Sequence, residues 1–151
     1  MKINFRFYIC IITLILISLY SDAQDTRHEA ENGTLSGTVT VQTSLAGFSG
    51  TGYVGRFEND GDGVTVTIPL SQAGNYDIYV GYAAPYGDKK NIININGNTT
   101  EMSFPSSSGF TEAAFGKASL KEGSNTVAIT KSWGWFLVDY IPVSYTHLRA
   151  H

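Results

Sequence analysis

The chain has 151 residues, with 10 Lys and Arg against 13 Asp and Glu and a formal net charge of −3. This length suits one domain plus whatever must be removed from its ends. The mildly acidic balance argues against a nucleic-acid partner, because phosphate binding needs a concentrated positive surface, and Lys89-Lys90 is an isolated basic pair.

At the N-terminus, Lys2 and Arg6 form a short basic region and Phe7 to Tyr20 is an almost unbroken apolar run. Ser21-Asp22-Ala23 supplies small residues before Gln24. The pattern predicts a secretory signal peptide over residues 1–23. The apolar run falls short of the ~20 residues a membrane-spanning helix needs. The expected location is therefore secreted or cell surface, with no membrane segment after cleavage. Cys10, the single cysteine, lies inside that run, with no small-residue lipobox before it. The exported domain has no disulfide and must rely on its core, or on a metal, for stability.

The next segments are short, β-rich and separated by Gly or Asn turns. His28-Glu29-Ala30-Glu31 reads as a first strand with Glu29 and Glu31 on one face, since strand side chains repeat every second residue. Phe48-Ser-Gly-Thr-Gly-Tyr53 is a glycine-rich loop, and Asn59-Asp-Gly-Asp-Gly63 reads as a hairpin turn. The latter lacks the spacing and the terminal Glu of an EF-hand loop. Val64, Val66 and Ile68 alternate with Thr65 and Thr67; Tyr76, Ile78, Val80 and Tyr82 alternate with Asp77, Tyr79 and Gly81. Ile93 and Ile95 run into Asn96-Gly97, a strong hairpin signal. Pro105-Ser-Ser-Ser-Gly109 reads as a loop. Val127 and Ile129 alternate with Thr126 and Thr130, and Leu137, Asp139 and Ile141 are expected to share the buried face of the last strand. Several short strands at turn-punctuated intervals predict an all-β sandwich or barrel. After Val143 the pattern breaks, and Ser144 to His151 is expected to be a non-native or linker tail, which assigns the domain to residues 24–143.

Glu29, Glu31 and Asp139 stand in otherwise apolar strands with few Lys or Arg nearby in sequence. An unpaired buried carboxylate is costly, so three of them ask for a cation. Oxygen-only ligands suit calcium rather than zinc or copper. The glycine-rich loop could add backbone carbonyls, because glycine lets the backbone approach closely. The alternative is that Glu29 and Glu31 face solvent on an edge strand. A catalytic role fits poorly. Glu29 and Glu31 lie on one side of any ligand, whereas glycoside hydrolysis needs carboxylates flanking the bond. The chain has no GxSxG elbow, no HExxH and no Cys-His pair.

Six stretches, in order, carry a resemblance. They are Glu29-Ala-Glu31-Asn-Gly-Thr-Leu-Ser-Gly37, Gly47-Phe-Ser-Gly-Thr-Gly-Tyr-Val-Gly55 and Tyr82-Ala-Ala-Pro-Tyr-Gly-Asp88-Lys89-Lys90, then Gly123-Ser-Asn-Thr-Val127, Trp133-Gly-Trp135 and Val138-Asp-Tyr-Ile-Pro142. Together they resemble carbohydrate-binding module family 35, especially modules attached to family 26 β-mannanases. The likeness runs from about Arg27 to Val143. It implies a β-sandwich of the jelly-roll type, a non-catalytic module and a structural calcium near the chain ends. By position, Glu29, Glu31 and Asp139 match the family's acids, with backbone ligands expected around Ser49 to Gly52. The implied partner is a polysaccharide, β-mannan or galactomannan, held by a monomer tethered to a catalytic domain. A uronic-acid or other galactosyl glycan is the alternative ligand, and a small secreted glycan-active enzyme the alternative class.

Sugar rings present apolar C–H faces that flat aromatics cover while polar groups bind hydroxyls. Trp133 and Trp135 are the expected platform, with Tyr86, Asp88, Lys89 and Asn91 beside it. Tyr53 and Arg56 are weaker candidates. Trp135 has the parity of Leu137 and Ile141, which leaves a core position open for it.

Overall fold

The structure, a computed structural model, describes residues 26–146. The expected signal peptide and residues 147–151 lie outside the described residues. The described residues form eleven strands: β1 (Thr26–Glu29), β2 (Thr34–Ser36), β3 (Thr40–Gln42), β4 (Tyr53–Gly55), β5 (Gly63–Leu70), β6 (Gly74–Ala84), β7 (Lys89–Ile95), β8 (Asn98–Phe104), β9 (Ser107–Leu120), β10 (Gly123–Trp133) and β11 (Leu137–Tyr145). One sheet has the order β3-β4-β11-β6-β9, with β1 also paired to β11; the other has the order β2-β5-β10-β7-β8. Every pairing is antiparallel. This is the expected β-sandwich.

The alternating segments bury one face each. Val64, Val66 and Ile68 of β5, Ile78, Val80 and Tyr82 of β6, Ile93 and Ile95 of β7, and Val127 and Ile129 of β10 meet in one core. At one end of the sandwich the core is aromatic. Phe136 stands 4.9 Å from Phe57 and 4.9 Å from Phe104, and Phe104 stands 5.0 Å from Tyr82, by ring centroids. The Asn96-Gly97 turn joins β7 to β8 with both residues at positive φ, 51° and 94°, as a two-residue hairpin of this twist requires.

Four expectations are corrected. A 3-10 turn over Ala30–Asn32 follows β1, so Glu31 is not on a strand with Glu29. The Asn59–Gly63 turn links β4 and β5 across the two sheets and is not a hairpin. Its Asp62 is buried and accepts the Thr38, Glu58 and Asn59 N–H groups at 2.6, 2.8 and 2.7 Å. These donors stabilise the ionised form and hold the Asp62 carboxyl far below the usual carboxylate range. Ser107 to Gly109 belong to β9 rather than to a loop. Finally, β11 runs through Ser144 and Tyr145, paired to Asp77 and Tyr76 of β6. The Tyr145 ring packs edge-on against Tyr76, and Thr146 bonds Asn75 and Asp77. The domain boundary expected at Val143 therefore falls inside a strand.

The parity of β11 also differs from expectation. Val138 pairs with Tyr82 and Tyr140 with Gly81, which leaves Asp139 as the extra residue of a β-bulge. The bulge shifts the inward set from Phe136 and Val138 to Ile141 and Val143. Leu137, Asp139 and Ile141 therefore do not share one core face.

Candidate functional site

The three acids meet at the glycine-rich loop. Asp139 has no exposed surface, and both its oxygens accept the Ser49 N–H, at 3.1 and 2.9 Å. The Ser49 hydroxyl donates to Glu29 Oε1 at 2.7 Å. The Thr51 N–H donates to Glu31 Oε1 at 2.7 Å. Gly50, at φ 61°, lets the backbone pass between the two glutamates, where a Cβ would overlap Glu31. The loop thus turns N–H and hydroxyl donors toward the acids. Gly52 lies elsewhere: a Cβ there would meet Val41 and the Gln42 carbonyl of β3.

This arrangement leaves oxygens over. Glu29 Oε2 and Glu31 Oε2 are buried and have no hydrogen-bond partner. Burial, with the nearby charges of Glu29 and Glu31, pushes the Asp139 carboxyl up to about 6, against the Ser49 N–H and Arg27, which act the other way. Among the described residues no three His, Cys, Asp or Glu side chains form a ready metal cage. An ion here would have to draw on loop oxygens as well. The donor chemistry, carboxylate and hydroxyl with two orphaned lone-pair carriers, fits a hard cation such as calcium.

The tryptophans stand elsewhere, Trp133 as the last residue of β10 and Trp135 in the turn to β11. Trp133 is 64 % exposed and Trp135 58 %. Phe136, one residue later, turns inward onto Phe57 and Phe104. It takes the core position that parity left open for Trp135. Gly134, at φ 83°, makes the turn between the two indoles. The indoles line separate clefts. Trp135 shares one of about 410 Å³ with Tyr86, Arg56, Glu58, Gln42 and Ser44. Trp133 shares another of about 370 Å³ with Asp88, Lys89, Lys90, Ser103 and Pro105.

The polar candidates divide the same way. Tyr86 is 76 % exposed and free to reach a ligand. Asp88 accepts the Ser106 N–H at 2.8 Å and ties its loop to the start of β9. Lys89 is largely buried; its ammonium donates to the Tyr86 carbonyl at 2.7 Å and lies 5.4 Å from the Trp133 ring centroid, within cation–π reach. It braces the Tyr86 loop against the tryptophan turn. Asn91 is a correction, since it has no exposed surface. A bulge at Ser132 shifts the pairing of β10 with β7, and Asn91 Oδ1 accepts the Ser132 N–H at 3.1 Å. Its work is to shape the approach to Trp133. Tyr53 is buried between Phe48 and Phe110 beneath the Trp135 cleft.

Glu58, Gln42 and Ser44 escaped the sequence reading. They come from the β3 end and from the turn after β4, and only the fold brings them to Trp135. The available signal was the position of Arg56-Phe57-Glu58 between a glycine-rich loop and an Asn/Asp turn, where two charged residues flank one aromatic.

Known proteins resemble the chain over most of its length. Mannan endo-1,4-beta-mannosidase B of Piromyces sp is 43 % identical over 118 residues, 78 % of this chain and 21 % of the relative. The GH26-CBM35 beta-(1,4)-mannanase of Podospora anserina superposes with a TM-score of 0.80 at 36 % identity, covering 85 % of this chain and 29 % of that one. The CBM35 of Paenibacillus barcinonensis, at 25 % identity and a TM-score of 0.72, is covered over 99 % of its length by 80 % of this chain. The chain thus spans about a fifth of the first of these relatives and nearly all of an isolated module. The sequence model of carbohydrate binding module (family 35) matches residues 26–146, and the chain belongs to that family, as a non-catalytic binding module.

Proposed function

We propose that this module holds β-mannan or galactomannan through the Trp133–Trp135 end of the sandwich, as the exported accessory domain of a mannan-degrading enzyme. One observation carries the reading: two indoles, 64 % and 58 % exposed, stand on a turn anchored from below by the buried Phe136. Large apolar rings left in water at a fixed position mark a binding surface, and sugar C–H faces match them. The likeness to mannanases supports a mannan as the glycan. A module of this kind raises the local concentration of its substrate around the attached enzyme. Each site buries little area, so single-site affinity should be modest.

The same reading includes a structural calcium among Glu29, Glu31, Asp139 and the Ser49–Thr51 loop. The two orphaned glutamate oxygens and the raised Asp139 carboxyl support it. The ion would neutralise charge and join the first strand, the loop and the last strand. The test is affinity electrophoresis of the domain in galactomannan, with and without Trp135→Ala. Retardation of the parent and its loss in the variant are expected. A parent that runs unretarded in every polysaccharide overturns the reading. For the ion, a chelator should lower the thermal melt by mass action on a ligand of the native state alone. An unchanged melt removes calcium from the account.

A further inference from the structure

Arg56 is one of two non-glycine residues at positive φ among the described residues, at 66°. The other, Asn96, belongs to a residue type that tolerates this region; an arginine there is held against its preference. The surroundings supply the force. Phe57 is buried against Phe136, Glu58 N–H donates to the Arg56 carbonyl at 2.9 Å, and Asp62 clamps the Glu58 and Asn59 N–H groups. The result points the Arg56 side chain at the Trp135 cleft, beside Glu58. Because Phe57 and Phe136 touch, the charged wall and the indole wall of the cleft are fixed relative to each other.

Arg56 Nε and Nη2 reach Glu58 at 3.3 and 3.5 Å, a loose pair. A guanidinium has five N–H donors and a carboxylate about four acceptor positions, so both keep unused capacity. The pair therefore offers donors and acceptors side by side over an aromatic floor. We infer that Arg56 and Glu58 read a vicinal diol of a neutral sugar ring in the Trp135 cleft and reject uronates. A sugar diol both accepts from Arg56 and donates to Glu58. A ligand carboxylate has no proton to give Glu58. It would also face the Glu58 carboxylate, to which the one cation of the cleft, Arg56, is already paired. This inference rests on the glycan-binding reading above and narrows it to neutral chains.

The experiment compares the intact domain with Arg56→Gly and Glu58→Gln in galactomannan and in polygalacturonate gels, alongside thermal melts. Arg56→Gly removes the side chain and relieves the backbone, so its melt should equal or exceed the parent's while galactomannan affinity falls at least tenfold. Glu58→Gln should also weaken galactomannan binding and gain a polygalacturonate retardation that fades with salt. Unchanged galactomannan binding in both variants overturns the inference and leaves the module a mannan binder. Parent retardation by polygalacturonate as strong as by galactomannan overturns it too. A parent retarded by neither polymer overturns the underlying reading along with it.

Discussion

Replacing Gly134 by Ala tests how the tryptophan turn is held. Gly134 sits at φ 83°, and an added Cβ would overlap the Lys89 side chain. The left-handed conformation alone costs an L-residue about 1–2 kcal/mol. Lys89 must also move, and its ammonium bond to the Tyr86 carbonyl is at stake; a hydrogen bond to a charged group is worth about 1.5–3 kcal/mol. The expected total is about 3 kcal/mol, or about 10 °C in the melt of a domain this size. Gly97→Ala is the control. It shares the positive φ, 94°, but an added Cβ there meets nothing within 4 Å, so it should lose only the backbone part, about 1–2 kcal/mol. Calorimetry gives the two melts, and galactomannan electrophoresis gives binding, which should fall in Gly134→Ala and hold in Gly97→Ala. If both variants melt alike and both bind as the parent does, Lys89 is not a brace and the turn is held by something else.

In chelator, Asp139 should make the domain more stable in mild acid. Its folded value of about 6 lies above the ordinary 3.8, so the stabilisation is complete below pH 4 and is lost as pH rises through 6. At 1.36 kcal/mol per pH unit the effect is up to about 3 kcal/mol. Thermal melts of the parent against Asp139→Asn from pH 4.5 to 7.5 would show it as a slope present only in the parent; equal slopes refute it. Asp62 has the opposite sign. Its folded value is depressed, so its contribution is present above about pH 4 and lost as pH falls through the folded value. Asp62→Asn should therefore lower the melt at pH 7 and shrink the difference in strong acid. Trp135→Ala should leave stability within about 0.5 kcal/mol, as an exposed change does. Phe136→Ala should cost about 3–5 kcal/mol as a buried aromatic deletion, and denaturant unfolding separates the two.

The strands that alternate cleanly were legible: Val64 to Ile68, Tyr76 to Tyr82, Ile93 and Ile95, and Val127 and Ile129 all bury the faces their period predicts. So was the Asn96-Gly97 hairpin. The edge strand β9 was not, because an edge with one lightly covered face needs few large apolar residues, and Ala113, Ala118 and Gly116 give a weak signal. Bulges were invisible as well. The inserted Asp139 reverses parity in the middle of β11, and no local residue preference announces that. The paired Trp residues and the three acids stood out by chemical type alone. Glu58, Gln42 and Ser44 did not, since their role depends on which loops the sandwich brings together.

The pairing of Thr26 with Val143 has a mechanical consequence. The two ends of the described chain leave side by side, and β11 carries the last of them away from the indole turn by about 30 Å, nine residues at strand rise. Tension on a tether at that end would run straight down two bonded neighbours, a shear load that antiparallel ladders resist rung by rung together. The same tension would pass through β11 to the grip on the glycan at the far end.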